Sequence, residues 1–297
     1  MELNWTYCQD NSDKILADGI LTLKDCNTCR PLDISFSDFG NYLISYSDKP
    51  YYIGEARDIK ARIKQQFKPT TSTFFKNFHK LLKTNQTVRP ISIDNFAIRF
   101  MPTEIGRKEI EDFGIVNLAT PLNKFQIGKR QKIELKKQNG LWNKVQKQKA
   151  ELLKQGEEEV LRQKFSNWFD CNVKSTAGLY IVKDKAKKII YIGESSNISE
   201  RHLTHSGTTY FSALRRHIGT DILGYDLKEK NAKKKYFTDS EDKNVNEFLR
   251  TTTAMFHPVT FGRYELEEYL IKKHRPLLNR KDNNEDWHTT YEKKNGR

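Results

Sequence analysis

The stretch that decides the fold reads Tyr191-Ile192-Gly193-Glu194, and Arg201 stands ten residues after its tyrosine. The same word occurs earlier in the chain as Tyr52-Ile53-Gly54-Glu55, and Arg62 stands ten residues after that tyrosine. A three-residue word can recur by chance. A word that recurs with a cation at the same offset indicates two copies of one site.

Each copy is predicted to be the second strand of a β-hairpin. Gly40-Asn41-Tyr42 begins an apolar run before the first copy, and Gly178-Leu179-Tyr180 begins one before the second. A polar turn separates each run from its Tyr-Ile-Gly word, which is typical of a hairpin. The glycine of each word is expected to let the backbone turn sharply into the next element.

A helix should follow each hairpin. Asp58 is a suitable N-cap for the first helix, and Ser196 or Asn197 for the second. Ile59 and Ile63 are expected to lie on one side of the first helix, and Ile198 and Leu203 on one side of the second.

The repeat continues downstream. Gly106-Arg107-Lys108-Glu109-Ile110-Glu111 matches Gly262-Arg263-Tyr264-Glu265-Leu266-Glu267, and Asn123 and Asn279 each lie twelve residues past the last glutamate. A proline before each asparagine is predicted to end the intervening helix. Each half therefore reads hairpin, helix, variable segment, strand, helix.

The repeat period of roughly 140–155 residues is the size of a domain. We therefore predict an α/β (α+β) chain with two tandem domains, each a small, mainly antiparallel sheet flanked by helices. The predicted parts are a first domain at 1–127, a basic helical linker at 128–170, a second domain at 171–282 and a polar tail at 283–297.

The composition points to an anionic partner. The 297 residues carry a net charge of +14, with basic clusters at 124–154 and 228–235. Such clusters interleaved with aromatic residues suit nucleic-acid phosphates, although a solvated helical linker explains 124–165 equally well. No apolar run reaches about 18 residues, so no membrane span is expected.

The four cysteines in this lysine-rich chain indicate a reducing, cytoplasmic setting. Cys26 and Cys29 have the spacing of a zinc knuckle but lack an evident second ligand pair. Free thiols are the favoured interpretation, and zinc remains the alternative.

The repeated residue types suit phosphodiester hydrolysis. The planar fork of arginine binds phosphate, and a glutamate binds a hard cation such as Mg²⁺. Tyrosine is an unusual base, because its ordinary pKa is near 10. Nearby positive charge would favour the phenolate.

In this order the residues resemble the GIY-YIG nucleases, over roughly 38–125 and 176–281. The resemblance implies a metal-dependent nuclease using Mg²⁺ or Mn²⁺. The implied site residues are Tyr180, Tyr191, Arg201, His205, Glu267 and Asn279 in the second half, and Tyr42, Tyr52, Arg62, Glu111 and Asn123 in the first.

The resemblance also implies a role for each residue. Tyr180 would act as the general base or help to orient the attacking water, while Tyr191 and His205 would hydrogen-bond the water, the phosphate or the leaving oxygen. Arg201 would neutralise the phosphate, Glu267 would hold the metal and Asn279 would support the site. In the first half Glu111 would be the metal ligand.

The first half departs from the pattern at three positions. Asn41 replaces an apolar residue, Gln66 stands where the second half has His205, and Gly114 weakens the later helix. In the second half, Glu267 is chosen over Glu265 and Glu268 only by its spacing to Asn279.

These observations lead us to expect a DNA endonuclease with two sites in one chain, most simply a type II restriction or related defence enzyme. It would cut both strands of double-stranded DNA as a monomer or homodimer, with a cognate methyltransferase as a possible partner. The inserts 67–97 and 206–250 would read sequence, through matching amphipathic helices at 74–80 and 210–217.

Three alternatives remain at the level of sequence. One half could be a DNA-binding module without catalysis, giving a nickase, a repair nuclease or a branched-DNA nuclease. The chain could bind nucleic acid without being an enzyme. RNA could also be the substrate.

Overall fold

The computed structural model describes residues 3–84, 92–123, 130–230 and 234–280. They form helices and antiparallel sheets, as predicted. The chain divides into two compact units, unit 1 at Met1–Leu152 and unit 2 at Leu153–Arg297. The predicted tail at 283–297 lies outside the described residues, as do parts of the predicted linker and inserts.

Unit 1 begins with two helices that the sequence did not predict. Its elements are α1 (Trp5–Asp10), α2 (Ser12–Asp25), β1 (Gly40–Tyr46), β2 (Lys49–Ala56), α3 (Ile59–Gln66), α4 (Thr73–Thr84), a 3₁₀ turn (Ile93–Asn95), β3 (Phe96–Pro102), α5 (Arg107–Asn117) and α6 (Leu141–Lys147). The next helix, α7 (Lys149–Leu161), contains the boundary between the units.

The sheet of unit 1 has the strand order β2-β1-β3, and all its pairs are antiparallel. Tyr42 on the central strand lies opposite Gly54 of β2 and Phe100 of β3. An aromatic core packs beside it, in which the rings of Phe78 and Phe96 are 4.8 Å apart. The central strand thereby carries the first tyrosine of the repeat.

A buried carboxylate holds the predicted linker region against the N-terminal helices of unit 1. Asp18 on α2 accepts hydrogen bonds from the backbone N–H groups of Gln138 (2.8 Å) and Trp142 (2.9 Å). The second bond gives an acceptor to a backbone N–H in the first turn of α6, where no preceding helical carbonyl is available. Residues 130–140 form no helix or strand, so among its described residues the predicted linker at 128–170 is α-helical only in α6 and α7.

Unit 2 repeats the order seen in unit 1, with a longer insert. After α7 come β4 (Ser166–Asn167), a 3₁₀ turn (Trp168–Asp170), β5 (Gly178–Lys183), β6 (Ile189–Ser195), α8 (Ile198–Ser206), a 3₁₀ turn (Thr209–Phe211), α9 (Ala213–His217), a π-helix (Ile218–Ile222), β7 (Lys228–Lys230), β8 (Lys234–Tyr236), α10 (Asp239–Arg250), β9 (Thr253–Pro258) and α11 (Arg263–His274).

The main sheet of unit 2 has the order β4-β9-β5-β6. Its central strand β5 places Tyr180 opposite Gly193 of β6 and Phe256 of β9. This is the register that Tyr42 has in unit 1. The predicted sequence of hairpin, helix, variable segment, strand and helix is confirmed in both units.

The predicted helix starts are largely correct. Asp58 caps α3 by accepting from the backbone N–H of Ala61 at 2.8 Å, and Asn197 caps α8 by accepting from Ser199 and Glu200. The prediction that Leu203 lies on one side of α8 with Ile198 is wrong, because Leu203 is 66% exposed while Ile198 is buried. The buried face of α8 is instead formed by Ile198 and His205.

The second predicted cationic helix, at 210–217, is also wrong in part. A 3₁₀ turn ends at Phe211, Ser212 breaks the run, and only Ala213–His217 is α-helical. Arg215 is fully buried and pairs with Asp242 on α10 at 2.8 Å. It therefore holds the insert together and does not face a groove.

α7 docks within unit 2 through acidic residues. Buried Glu157 accepts from Lys273 (2.5 Å), His274 (2.8 Å) and Tyr269 (3.2 Å), all on α11. These bonds fix α11, the helix that carries Glu267.

The thiols of Cys26 and Cys29 donate to the backbone carbonyls of Thr22 and Ile98, respectively. Over the part of the chain that the structure describes, no helix is long and apolar enough to cross a membrane.

Candidate active site

The glycine of each Tyr-Ile-Gly word makes room for a tyrosine on the neighbouring strand. A Cβ at Gly54 would lie 2.5 Å from the hydroxyl of Tyr42, and a Cβ at Gly193 would meet the hydroxyl of Tyr180 even more closely. Both glycines lie inside strands, with no positive φ. The predicted sharp turn is therefore wrong, and the glycine is required by the close approach of the tyrosine.

Tyr180 belongs to a buried chain of hydrogen bonds in unit 2. Its hydroxyl lies 2.8 Å from Nε2 of His205, and Nδ1 of the same ring lies 2.6 Å from Oγ of Ser212. Ser212 Oγ also accepts from the backbone N–H of Arg215 at 3.1 Å. Because both ring nitrogens of His205 are engaged, the orientation of its imidazole is fixed.

The Tyr180 hydroxyl also lies near Tyr191, Arg201 and Glu267. The rings of Tyr180 and Tyr191 are 6.0 Å apart. Burial raises the pKa of both hydroxyls, the negative charge of Glu267 raises it further, and the positive charge of Arg201 lowers it. Glu267 Oε1 accepts from the backbone N–H of Glu194 at 3.1 Å, which places the carboxylate beside the end of β6.

Asn279 binds the backbone of the Tyr-Ile-Gly strand. Its Oδ1 accepts from the N–H of Ile192 at 2.8 Å, and its Nδ2 donates to the carbonyl of the same residue at 2.7 Å. The buried amide therefore fixes the middle of the strand by two bonds. It stabilises the backbone that carries Tyr191 and Glu194.

Residues 163–295 match the family model of the GIY-YIG catalytic domain. The match lies within unit 2 and contains the whole cluster around Tyr180. It supports the superfamily that the sequence resembles and, with it, endonuclease activity in general. The searches of curated proteins and of solved structures returned no match.

Burial determines the protonation of the groups in this cluster. It raises the pKa of Tyr180 well above its ordinary value and that of Tyr191 to about 12, so both phenols are neutral at pH 7. Burial, together with Arg201 and other nearby cations, lowers the pKa of His205 to about 3. A neutral imidazole can accept the proton of Tyr180 in a hydrogen bond, and the phenol oxygen then keeps its lone pairs for a water molecule.

The donor set fits a hard divalent cation. Glu267 supplies a half-buried carboxylate, and Mg²⁺ commonly takes one or two carboxylates while substrate phosphate and water complete its shell. Across the described ranges no group of three or more His, Cys, Asp or Glu residues is placed to hold a metal. A cation here would therefore rest on Glu267 and the substrate. When bound, it would polarise the phosphate and stabilise the charge that develops on it.

Unit 1 places its corresponding residues in the same arrangement. The rings of Tyr42 and Tyr52 are 6.0 Å apart, and the guanidinium of Arg62 lies near enough to both hydroxyls for its charge to lower their pKa against the effect of burial. Asn123 holds Ile53 by a bond at 3.0 Å to its N–H and one at 2.8 Å to its carbonyl. Glu111 is the fifth residue of α5, as Glu267 is of α11.

Two features make the unit 1 cluster different. Nε2 of Gln66 donates to the hydroxyl of Tyr42 at 3.3 Å, so this amide nitrogen cannot accept the tyrosine proton as an imidazole can. Glu111 is only 7% exposed, and burial, with the charges of Glu55 and Asp112, raises its pKa to about 8. The raised pKa favours the protonated carboxyl, which must lose its proton before it can bind a metal.

Some residues of the site were missed at the level of sequence. Ser212 contacts His205 from beyond a 3₁₀ turn, an offset that helical periodicity does not reveal. Buried Arg263 pairs with Glu194 at 3.0 Å and ties the start of α11 to β6. A signal for this pair was available, because the Gly-Glu and Gly-Arg words recur in both halves.

Proposed function

We propose that this protein is a metal-dependent DNA endonuclease with one active site in each unit, which together cut both strands of a duplex. The observation that carries the proposal is the paired cluster: two neighbouring tyrosines, an arginine, a helix glutamate and an asparagine bound to the Tyr-Ile-Gly strand, present twice in one register. The net charge of +14 supports DNA as the substrate.

In unit 2, the chain's own residues would divide the work of hydrolysis. Tyr180 would orient the attacking water and take its proton while passing its own proton to Nε2 of His205, as the bond from water to phosphorus forms and the bond from phosphorus to the leaving oxygen breaks. Arg201 would bind the phosphate and offset its growing negative charge. Glu267 would hold the Mg²⁺ or Mn²⁺ ion, and Asn279 would keep the strand beneath these groups rigid.

In unit 1, Tyr42, Tyr52, Arg62, Glu111 and Asn123 would take the corresponding parts. Gln66 cannot replace His205 as a proton acceptor, so the first site must hold its water with less help. We therefore propose that the two sites differ in rate, and that unit 2 cuts its strand first.

A type II restriction enzyme, or a related defence nuclease, is the biological role that best suits double-strand cutting by a single chain. The test is incubation of the purified protein with methylated and unmethylated plasmid DNA in Mg²⁺, followed by mapping of the cut ends. Discrete cuts that methylation prevents would support restriction. Equal cutting of methylated and unmethylated plasmid would exclude the restriction role. Failure to cut either plasmid would exclude nuclease activity.

A second candidate follows from the high pKa of Glu111 and from Gln66. In that case unit 1 binds DNA without cutting it, and the enzyme is a nickase. Nicked circles that never become linear, produced by the wild-type protein, would favour this candidate over paired cutting.

A further inference from the structure

An exposed aromatic side chain lies next to the residues that hold the catalytic histidine. Phe211 ends the 3₁₀ turn Thr209–Phe211 and is 73% exposed. Its ring contacts Tyr210 edge-to-face, with the centroids 4.2 Å apart. The next residue, Ser212, is fully buried and binds Nδ1 of His205. Phe211 is thus one residue away from a direct contact of the site.

The turn that carries Phe211 is fixed at both ends. Buried Thr209 donates its hydroxyl to Asp242, and Ser212 accepts from the backbone N–H of Arg215. Arg216 donates to the carbonyl of Tyr210 at 3.2 Å. The backbone is therefore ordered before any ligand arrives, and a contact made by Phe211 would cost little additional entropy.

Positive charge accompanies the exposed ring. Arg216 is partly exposed, and its charge acts on both Tyr191 and His205, which locates it at the edge of the site. Arg201 lies within the cluster itself. An exposed aromatic ring one residue from the Tyr210 carbonyl that Arg216 binds matches a nucleotide, in which a flat base is attached to an anionic backbone.

The corresponding segment of unit 1 does not present a ring in this way. Ser72 precedes α4 as Ser212 precedes α9, but Phe74 and Phe78 of α4 are buried in the aromatic core. Among the described residues of unit 1, the exposed large hydrophobic side chain is Leu32, which lies outside this segment. The feature therefore distinguishes unit 2.

We propose that Phe211 stacks on a nucleobase of the DNA beside the phosphate that unit 2 cleaves. This inference rests on the proposed nuclease function and adds a base-contacting group to it. Stacking of this kind tolerates any base, because every base has a π-face. A ring that enters a duplex also separates neighbouring bases and bends the helix at that step.

The test uses the full-length protein and a duplex that contains the mapped cut site. 2-Aminopurine replaces one base at a time around the cut, and Ca²⁺ replaces Mg²⁺ so that binding is measured without hydrolysis. The wild type should change the 2-aminopurine fluorescence at one position next to the cut. Phe211→Ala should abolish that change and weaken binding by about tenfold or more, the effect expected for one stacked base. Phe211→Trp should retain both signals.

The matched control is Phe169→Ala, which removes a surface ring of the same unit that is already covered by Arg250 at 4.8 Å. This control should leave the fluorescence change at the cut unaltered. Equal affinity and equal fluorescence for wild type and Phe211→Ala would overturn the stacking role while leaving the nuclease intact. A wild-type protein that neither cuts nor binds DNA would overturn both proposals.

Discussion

Gly193→Ala tests whether the glycine of the Tyr-Ile-Gly word is required by the close approach of Tyr180. The added Cβ would meet the hydroxyl and ring of Tyr180 at well under 3.0 Å, so the hydroxyl must move by roughly 1 Å to restore an ordinary contact. That movement breaks the bond between Tyr180 and His205. Overpacking of a buried site costs about 1–3 kcal/mol, and a misplacement of about 1 Å lowers catalytic rates roughly a hundredfold.

The assay combines thermal denaturation with single-turnover cleavage of the strand that unit 2 cuts. The expected result is a loss of a few degrees in the unfolding midpoint and a rate about 100-fold lower. A double-mutant cycle with Tyr180→Leu isolates the contact, because the substitution at Gly193 should destabilise less once the hydroxyl and the ring are gone. A wild-type rate and midpoint for Gly193→Ala, or an equal cost in both backgrounds, would refute the reasoning.

Three further predictions concern groups around the site. His205→Gln gives unit 2 the amide found in unit 1 and should slow the cut made by unit 2 about 10²–10⁴-fold in strand-specific cleavage. Gln66→His should not slow the cut made by unit 1. Equal rates for His205→Gln and wild type would exclude the imidazole from proton transfer. Ser212→Ala frees one ring nitrogen of His205 and should lower kcat more than it raises KM, and a change confined to KM would contradict a positioning role. Glu157→Gln should destabilise unit 2 at pH 7 in denaturant titrations, because burial raises the pKa of the Glu157 carboxyl but the bonds from Lys273 and His274 lower it by more. The stability that the lowered pKa provides is present above the pKa of the unfolded state and is lost as the pH falls through the pKa of the folded state. A difference between variant and wild type that persists in strong acid would exclude ionisation as its source.

The repeat made much of the fold predictable from sequence. Strand-turn-strand patterning and apolar periodicity predicted the hairpin and the following helix of each half, because both patterns are local in sequence. The register of Tyr42 and Tyr180 against the third strand came only from the structure, because that pairing is long-range. The asparagines were also found by spacing. Their function, two bonds to one peptide of the facing strand, became visible only in three dimensions.

Several features could not be predicted from the sequence, for physical reasons. The side of α8 that faces the core is set by His205, a polar residue, and this left Leu203 exposed against the apolar pattern. Arg215 was expected at the surface as a cation, but Asp242 of the unpredicted helix α10 compensates its burial. The need for glycine at positions 54 and 193 comes from a tyrosine on another strand. Composition alone cannot reveal such a contact.

The central claim, that each unit cuts one strand, is tested most directly by plasmid cleavage with Glu267→Gln and Glu111→Gln as separate variants. Each variant replaces one carboxylate by an amide of nearly the same shape. The products are resolved as nicked and linear DNA. We predict that each single variant accumulates nicked circles and that the double variant leaves the plasmid intact. Linear product formed by Glu111→Gln at the wild-type rate would contradict the account.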